Sequence, residues 1–370
     1  MDPAFSSTKQ AGAFALLLLV LLILPLILEP RILPSRVESY SSAGWIDGAY
    51  PYLDQQIFIE KGPLDIVFIG PSHMWAAIDT PAVQEALSQK LGRPAVVRTL
   101  GWTNAGYDAL YFATQDLLQH RQVHLLVYYD AYQIKDNPHE LASLWFRFGD
   151  NAKVLTDLPL RLKISYYFAS LVGLPHDLLG LLRTRLPADL NSPKKTYWEE
   201  RVDAERIVSR LGSVASKKGF TPDNNTTSAP FEVFKPEPTG RSSKAVIYSK
   251  TTREQFKFTA TDNDSWQYVF ARKFVSLAQE HHTRLALLHI PTWDEGRKTV
   301  IEERQNWPEF LKGDIAMIGI TPEKFGEGIS DADFIKLFGN SDHLNKNGQE
   351  YFTSIIISRL LELYDAAPTH

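Results

Sequence analysis

A serine and a histidine near opposite ends of the chain have neighbours that suit a nucleophile and its general base. Ser72 follows the short apolar run 64–70, which ends in glycine, and it precedes a helical pattern. His343 lies in the polar segment 340–345, directly before the last helical pattern. A serine hydroxyl becomes an effective nucleophile when a base such as histidine takes its proton. The pair predicts acyl transfer through a covalent intermediate, with a helix-capping serine and a surface histidine as the structural alternatives.

Residues after the second predicted strand could stabilise the oxyanion that forms during acyl transfer. Gly101 and Asn104 occupy this place. The backbone N–H groups of Ser72 and Gly101, with the side-chain amide of Asn104, could form an oxyanion hole. A simple turn at Gly101 and a helix cap at Asn104 are the alternatives. Five residues at the strand ends are further predicted to line a substrate pocket: His73, Trp102, His289, Trp293 and Tyr129. For His289, a buried core position is the alternative.

Strand and helix patterns alternate along the chain and would position these residues. Apolar runs typical of buried strands occur at 64–70, 94–101, 123–130 and 284–291. Helical apolar spacing occurs at 80–92, 107–120, 265–282 and 348–364. Strands joined through helices by short turns predict an α/β fold, a three-layer sandwich around a central parallel sheet with right-handed crossovers. In such a sheet ligands bind beyond the carboxyl ends of the strands, where Ser72 would lie.

The N-terminal segment predicts a membrane anchor. Residues 10–28 carry no charge, and as a helix they would reach about 29 Å, close to the thickness of a bilayer core. We expect an uncleaved single-pass anchor with the body outside the cytoplasm, and a cleaved signal peptide is the alternative. The amphipathic stretch 158–186 predicts helices that either pack on the sheet or contact the membrane surface.

The predicted organisation therefore has five parts, with the α/β domain split by an insertion. They are a transmembrane anchor at 1–30, a linker at 31–59, the first part of the α/β domain at 60–138, a helical and loop insertion at 139–263, and the second part of the domain at 264–370.

Composition excludes several other classes of protein. The chain has 370 residues, no cysteine and 44% hydrophobic residues, which rules out a disulfide scaffold, thiolate metal sites and a disordered chain. A formal net charge of -4 gives no basic field for nucleic acid. We predict no metal and no cofactor.

Two motifs together resemble those of the SGNH (GDSL-like) hydrolase superfamily. They are I-G-x-S-H at 69–73 and D-H-L-N-x-x-G at 342–348, within the alternating pattern. More narrowly, the chain resembles membrane-anchored SGNH-like proteins that accompany membrane-bound O-acyltransferases in lipoteichoic acid D-alanylation and in alginate-type exopolysaccharide O-acetylation. The resemblance covers residues 60–135 and 265–365. It implies a flavodoxin-like sheet, Ser72 as nucleophile, Gly101 as an oxyanion donor and His343 as general base.

The chain departs from the superfamily pattern at two blocks. The third strand pattern ends without the usual G-x-N-D, and the residue three before His343 is Asn340 rather than aspartate. Asp342, or else Asn340, is then expected to orient the imidazole. Another carboxylate in this role, or a serine–histidine dyad of modest activity, is the alternative.

The resemblance implies an extracytoplasmic protein, periplasmic or extracellular, that works with a membrane-bound O-acyltransferase. Its reaction would be O-acyl transfer, most simply O-acetylation, onto a cell-surface or secreted polysaccharide. A carbohydrate or lipid esterase of the same fold is one alternative. A scaffold without activity that binds the acyltransferase or the polymer is another.

Overall fold

The structure is a computed structural model of the chain. It describes residues 7–32, 35–42, 50–102, 106–129, 138–139, 145, 152–156, 158–169, 179, 182, 266–292, 315–318, 325–326, 328–339 and 343–365. The described chain divides into two compact units. One contains residues 46–139 and 193–370, and the other contains 1–45 and 140–192.

Within the described residues, the first unit contains five strands and seven α-helices. The strands are β1 (Leu64–Pro71), β2 (Val97–Trp102), β3 (Val123–Tyr129), β4 (Arg284–Leu288) and β5 (Ile315–Ile318). The α-helices of the two units, in chain order, are α1 (Thr8–Ile32), α2 (Arg36–Ser42), α3 (Tyr50–Asp54), α4 (Ser72–Ala77), α5 (Thr80–Leu91), α6 (Tyr107–His120), α7 (Ala152–Thr156), α8 (160–169), α9 (Trp266–Glu280), α10 (Asp331–Phe334) and α11 (Lys346–Asp365). Of these, α1, α2, α7 and α8 belong to the second unit.

The five strands form one parallel sheet in the order β2-β1-β3-β4-β5. This is the strand order of flavodoxin-like sheets. The predicted α/β class is confirmed, and the four predicted strands and their helices are found within a few residues of the expected bounds. The strand β5, with the sequence Ile-Ala-Met-Ile, was not predicted, because four residues give too short a pattern to distinguish strand from helix.

Helices pack on both faces of the sheet. Because side chains alternate along a strand, neighbouring residues of β3 point to opposite faces. Val127 belongs to the apolar core that also contains Leu87 of α5 and Phe352 of α11. Its neighbour Tyr128 meets the ring of Phe274 of α9, with centroids 4.6 Å apart. Both faces are therefore dry, which explains why these strands read as continuous apolar runs.

The last helix runs the length of one face and is tied at both ends. It has 20 residues, or about 30 Å, and β1 has 8 residues, or about 26 Å. At its end, the hydroxyl of Tyr364 donates to Asp65 at the start of β1 (2.7 Å), and His124 Nε2 lies 3.0 Å from the carbonyl oxygen of Tyr364. Its beginning must then lie near the end of β1.

Asp65 makes most of the polar contacts where α11 ends, beside the start of β1. Its carboxylate accepts a hydrogen bond from each terminal nitrogen of Arg93 (2.6 and 3.1 Å) and one from the backbone N–H of Val96 (2.7 Å). Burial by itself raises the pKa of this carboxyl, but the hydrogen bonds from Arg93, Tyr364 and Val96 and the charge of Arg93 lower it below its ordinary value overall. Burial, together with the hydrogen bond to Asp65 and the charge of Asp65, raises the pKa of Tyr364 to about 12, although Arg93 lowers it.

In the second unit, the predicted N-terminal helix is present as α1, a helix of 25 residues. Its described apolar side chains are largely exposed, including Phe14 at 50% and Leu16 at 62%. Among the residues that the structure describes, no helix combines the length and apolarity needed to cross a membrane. The helix is confirmed, and its role as a membrane span is not.

In α8 the two helical faces differ. Leu162 and Tyr166 are buried, whereas Leu160, Ile164 and Phe168 are 72%, 48% and 52% exposed. The three exposed residues recur at every fourth position and so share one face. We call this face, Leu160, Ile164 and Phe168, the apolar stripe.

We predict that Asp65→Asn lowers the free energy of unfolding by about 1–3 kcal/mol at neutral pH, because Arg93 and Tyr364 lose a charged acceptor. The pKa of Asp65 lies below its ordinary value of 3.8 in the folded chain. The stability it contributes is therefore fully present above about pH 4 and is lost as the pH falls through the folded pKa. Urea unfolding of wild type and variant from pH 7 down to pH 3 measures this. Asp333→Asn, at an exposed carboxylate, is the control, and a wild-type advantage that persists undiminished at pH 3 would contradict the prediction.

Candidate functional site

The candidate site lies where the order of strand connections reverses. In the order β2-β1-β3, the chain leaves β1 toward one side and returns past it to β3, so the crevice beyond their carboxyl ends is the switch point where such sheets bind ligands. Ser72 directly follows β1, and Tyr129 is the last residue of β3. Both predicted site residues thus lie at the position that the topology favours.

Ser72 and His343 meet at this point. The Oγ atom of Ser72 lies 2.8 Å from Nε2 of His343, although the two residues are 271 positions apart in sequence. Ser72 is 5% exposed and His343 8%. The distance is that of a hydrogen bond between a nucleophile and its base. The geometry predicted from the two motifs is therefore present.

The direction of this hydrogen bond depends on the imidazole tautomer. When the proton of neutral His343 is on Nδ1, Nε2 accepts the hydrogen bond that the Ser72 hydroxyl donates. This is the tautomer a general base needs, and an acceptor on the Nδ1 side would fix it. The predicted orienting residues Asp342 and Asn340 lie outside the described residues.

The segment after His343 is pinned to the chain before it. The backbone N–H of Gly339 donates to the carbonyl of His343 (2.9 Å), and that of Asn345 donates to the carbonyl of Leu337 (2.9 Å). Asn345 also caps α11, since its Oδ1 accepts from the N–H of Gly348 (3.1 Å). A side chain at Gly348 would collide with the carbonyl of Leu337. The motif residues after the histidine therefore act by fixing the backbone that carries it.

Two polar residues of α11, the helix that follows His343, tie it to α4, the helix that begins at Ser72. The amide Nε2 of Gln349 donates to the carbonyls of Trp75 (2.8 Å) and Ile78 (3.0 Å), around the end of α4. The hydroxyl of Thr353 donates to the carbonyl of Ala77 (3.2 Å) and accepts from the N–H of Asp79 (2.8 Å). Sequence reasoning missed both residues. Polar residues among the apolar positions of a predicted core-facing helix were the only signal available.

Of the oxyanion candidates, Gly101 lies on β2 and Ser72 directly follows the neighbouring strand β1. Gly101 pairs in register with Gly70, two residues before Ser72. A Cβ atom at Gly101 would lie 2.8 Å from Cε2 of Trp75, so the absent side chain makes room for the indole. Ser72 is the first residue of α4, where helical N–H groups have no acceptor within the helix. Asn104, the third predicted donor, lies outside the described residues.

The predicted pocket residues fall in different surroundings. The ring of His73 stacks on the rings of Tyr129 and of His343. Trp102 is the last residue of β2 and is 1% exposed. His289 directly follows β4, is 1% exposed, and its backbone N–H donates to the carbonyl of Ile318 (2.9 Å). Trp293 lies outside the described residues. Two of the five predicted residues, His73 and Tyr129, are thus joined to the serine–histidine pair.

A buried carboxylate ties the start of α6 to His139 and to the start of α9. Asp108 accepts hydrogen bonds from the backbone N–H of His139 (2.8 Å) and from Nε1 of Trp266 (2.7 Å). It also accepts one from the N–H of Ala109 (2.9 Å), in the first turn of its own helix. This residue too was missed, because an acidic residue in a first helical turn is ordinarily a surface feature.

No metal cluster accompanies the pair within the described residues. There, no group of three or more His, Asp or Glu side chains is placed to hold an ion.

Comparison with known proteins leaves the site to be judged on its geometry. No family model matches the chain, and the search of the curated proteins returns no match.

We predict that Gly348→Ala lowers the free energy of unfolding by about 1–3 kcal/mol, because the methyl group displaces the carbonyl of Leu337 and the backbone that carries His343. Urea unfolding of the full chain in detergent measures this. Lys346→Ala, in the same helical turn at a partly exposed position, is the control and should change stability by less than about 0.5 kcal/mol. Equal stability of the two variants would show that the close approach is not a constraint.

Proposed function

We propose that this chain is an SGNH-like O-acyltransferase that forms an acyl-enzyme at Ser72. The observation that carries the proposal is the 2.8 Å separation of Ser72 Oγ and His343 Nε2, at the switch point of the sheet. The strand order 2-1-3-4-5 and the two motifs supply further support. Both residues come from the positions at which the superfamily places its nucleophile and base.

In the proposed first half-reaction, Ser72 attacks the carbonyl carbon of an acyl donor. His343 Nε2 takes the hydroxyl proton as the bond from Oγ to carbon forms, which leaves an imidazolium and a tetrahedral oxyanion. The N–H groups of Ser72 and Gly101, with Asn104 as a third donor, stabilise that oxyanion. Collapse expels the donor's leaving group, to which His343 returns the proton, and the acyl group remains on Ser72.

In the second half-reaction, a sugar hydroxyl of the polysaccharide attacks the acyl-serine. His343 takes the proton of that hydroxyl, a second tetrahedral intermediate forms, and its collapse returns the proton to Ser72 Oγ. Water in place of the sugar would give hydrolysis, so transfer requires that the acceptor displaces water from the site.

The proposal includes a membrane location and a membrane partner. Its support is the uncharged run 10–28, the exposed apolar side chains of α1 and the apolar stripe of α8. These features favour a chain held at a membrane. From the resemblance, we further propose that its body lies outside the cytoplasm, close to a membrane-bound O-acyltransferase that supplies the acyl group. Apolar residues exposed in series on two helices are otherwise costly in water.

The nucleophile is tested with a serine-reactive fluorophosphonate on the detergent-solubilised full chain. We predict labelling at Ser72, mapped by mass spectrometry, and a rate lower by about 10³-fold or more in His343→Ala, because the hydroxyl loses its base. Ser354→Ala, at an exposed serine of α11, is the control and should label like wild type. A folded wild-type chain that does not label at Ser72 would overturn the proposed mechanism and favour a scaffold.

Transfer and hydrolysis are separated by a second measurement. The chain is incubated with an activated acetyl ester, with and without a polysaccharide acceptor, and both acetylated polymer and free acetate are quantified. We predict that acceptor speeds acetyl release from Ser72 and that most acetyl groups reach the polymer. Rapid release as free acetate, unaffected by acceptor, would identify an esterase instead.

The membrane location is tested by extraction. We predict that the full chain stays with membranes in alkaline carbonate and that a chain lacking residues 1–30 is released, because the uncharged run provides most of the apolar area. Phe168→Ser, which changes only the apolar stripe, should remain with the membranes. Release of the full chain by carbonate would rule out a spanning anchor.

A further inference from the structure

Three aromatic rings form a stack that ends on the proposed general base. The imidazole of His73 lies between the other two. Its centroid is 5.0 Å from that of Tyr129 with an angle of 6° between the planes, and 4.5 Å from that of His343 with an angle of 15°. All three rings are thus nearly parallel, an arrangement that stacked aromatic rings favour when they are offset.

Two of the three rings are carried by rigid elements. Tyr129 is the last residue of β3 and is 4% exposed. Its Cβ would lie 3.1 Å from a Cβ at Gly70, so the neighbouring strand approaches it closely. His73 is fixed by α4, one residue after the nucleophile. The stack therefore presents a flat surface, backed by the sheet, to the ring of His343.

The general base needs its ring held in one orientation. The bond between Cβ and the ring of a histidine has a broad, roughly two-fold torsional preference, so the side chain alone does not fix which way Nε2 points. A ring packed face to face on another can slide but cannot turn out of the plane without losing the contact. In His343 the plane that the stack imposes is the one in which Nε2 lies 2.8 Å from Ser72 Oγ.

We propose that His73, held against Tyr129, is a positioning residue that orients His343 through this stack. The inference rests on the proposed function, since it concerns the base of that reaction, and it replaces the substrate-binding role expected for His73 and Tyr129 from the sequence. Hydrogen bonding at Nδ1 orients the base of a serine triad from its edge. The stack would orient it from its face, and the two can act together.

The test compares a variant that keeps a flat ring at position 73 with one that removes it. His73→Phe keeps a planar ring without nitrogen atoms, and His73→Ala removes the ring. Fluorophosphonate labelling of Ser72 in the detergent-solubilised full chain, at several probe concentrations, separates probe binding from the bond-forming rate constant. We expect His73→Ala to lower the rate constant about tenfold with probe binding unchanged, and His73→Phe to stay within about threefold of wild type.

A spectroscopic signature tests the stack without activity. In chain labelled with ¹⁵N-histidine, the carbon-bound ring protons of His343 are assigned by their loss in His343→Ala. A ring stacked above them shifts their resonances upfield. We expect that shift to be lost in His73→Ala and kept in His73→Phe. Tyr129→Leu, compared with Tyr129→Phe, provides a second pair if His73→Ala does not fold, and the leucine variant should show the weaker labelling.

The possible outcomes separate this inference from the proposed function. Wild-type labelling and unchanged His343 resonances in His73→Ala would overturn the positioning role while leaving the nucleophile in place. A rate as low in His73→Phe as in His73→Ala would also overturn it, and would assign the effect to the nitrogen atoms of His73. Failure of wild type to label would count against the proposed function, and the resonances would still decide whether the stack orients His343.

Discussion

The position of the last helix is the constraint on which the rest of the site depends. The helix α11 crosses one face of the sheet with its end held by Asp65 at the start of β1 and its beginning held by the carbonyls of α4. Because helix and strand have similar lengths, fixing one end brings the other to the opposite edge of the sheet. Ser72 and His343 meet because these two sets of polar contacts are satisfied together.

The two attachments differ in chemistry, and the difference suits their places. Where α11 ends, Asp65 and Arg93 form a partly exposed ion pair, in which the arginine side chain is 52% exposed and the aspartate side chain 9%. Where α11 begins, the neutral amide of Gln349 and the hydroxyl of Thr353 satisfy backbone carbonyls of α4, the helix that starts at Ser72. These two side chains fix the helix without adding a charge of their own.

The site also shows how backbone positioning and ring packing combine. Asn345 and Gly348 fix the main chain that leads away from His343, and the stacked rings limit the plane of its imidazole. Both limit the orientations that the His343 imidazole can adopt. In the proposed reaction, that restriction would itself contribute to the rate of a proton transfer over hydrogen-bond distance.

The sequence by itself determined the α/β class and singled out Ser72 and His343 as the proposed nucleophile and base. Apolar runs of strand length separated by helical patterns specify a parallel sheet, and a serine after the first strand lies at a functional edge in any such sheet. The tertiary structure alone decided how the pair is held. Gln349, Thr353 and Asp108 act through partners 31 to 276 positions away. No local pattern records which distant carbonyl or N–H a polar side chain will meet. The same holds for His73, whose sequence neighbours suggest a pocket residue, whereas its two ring partners come from the end of β3 and from the turn before the last helix.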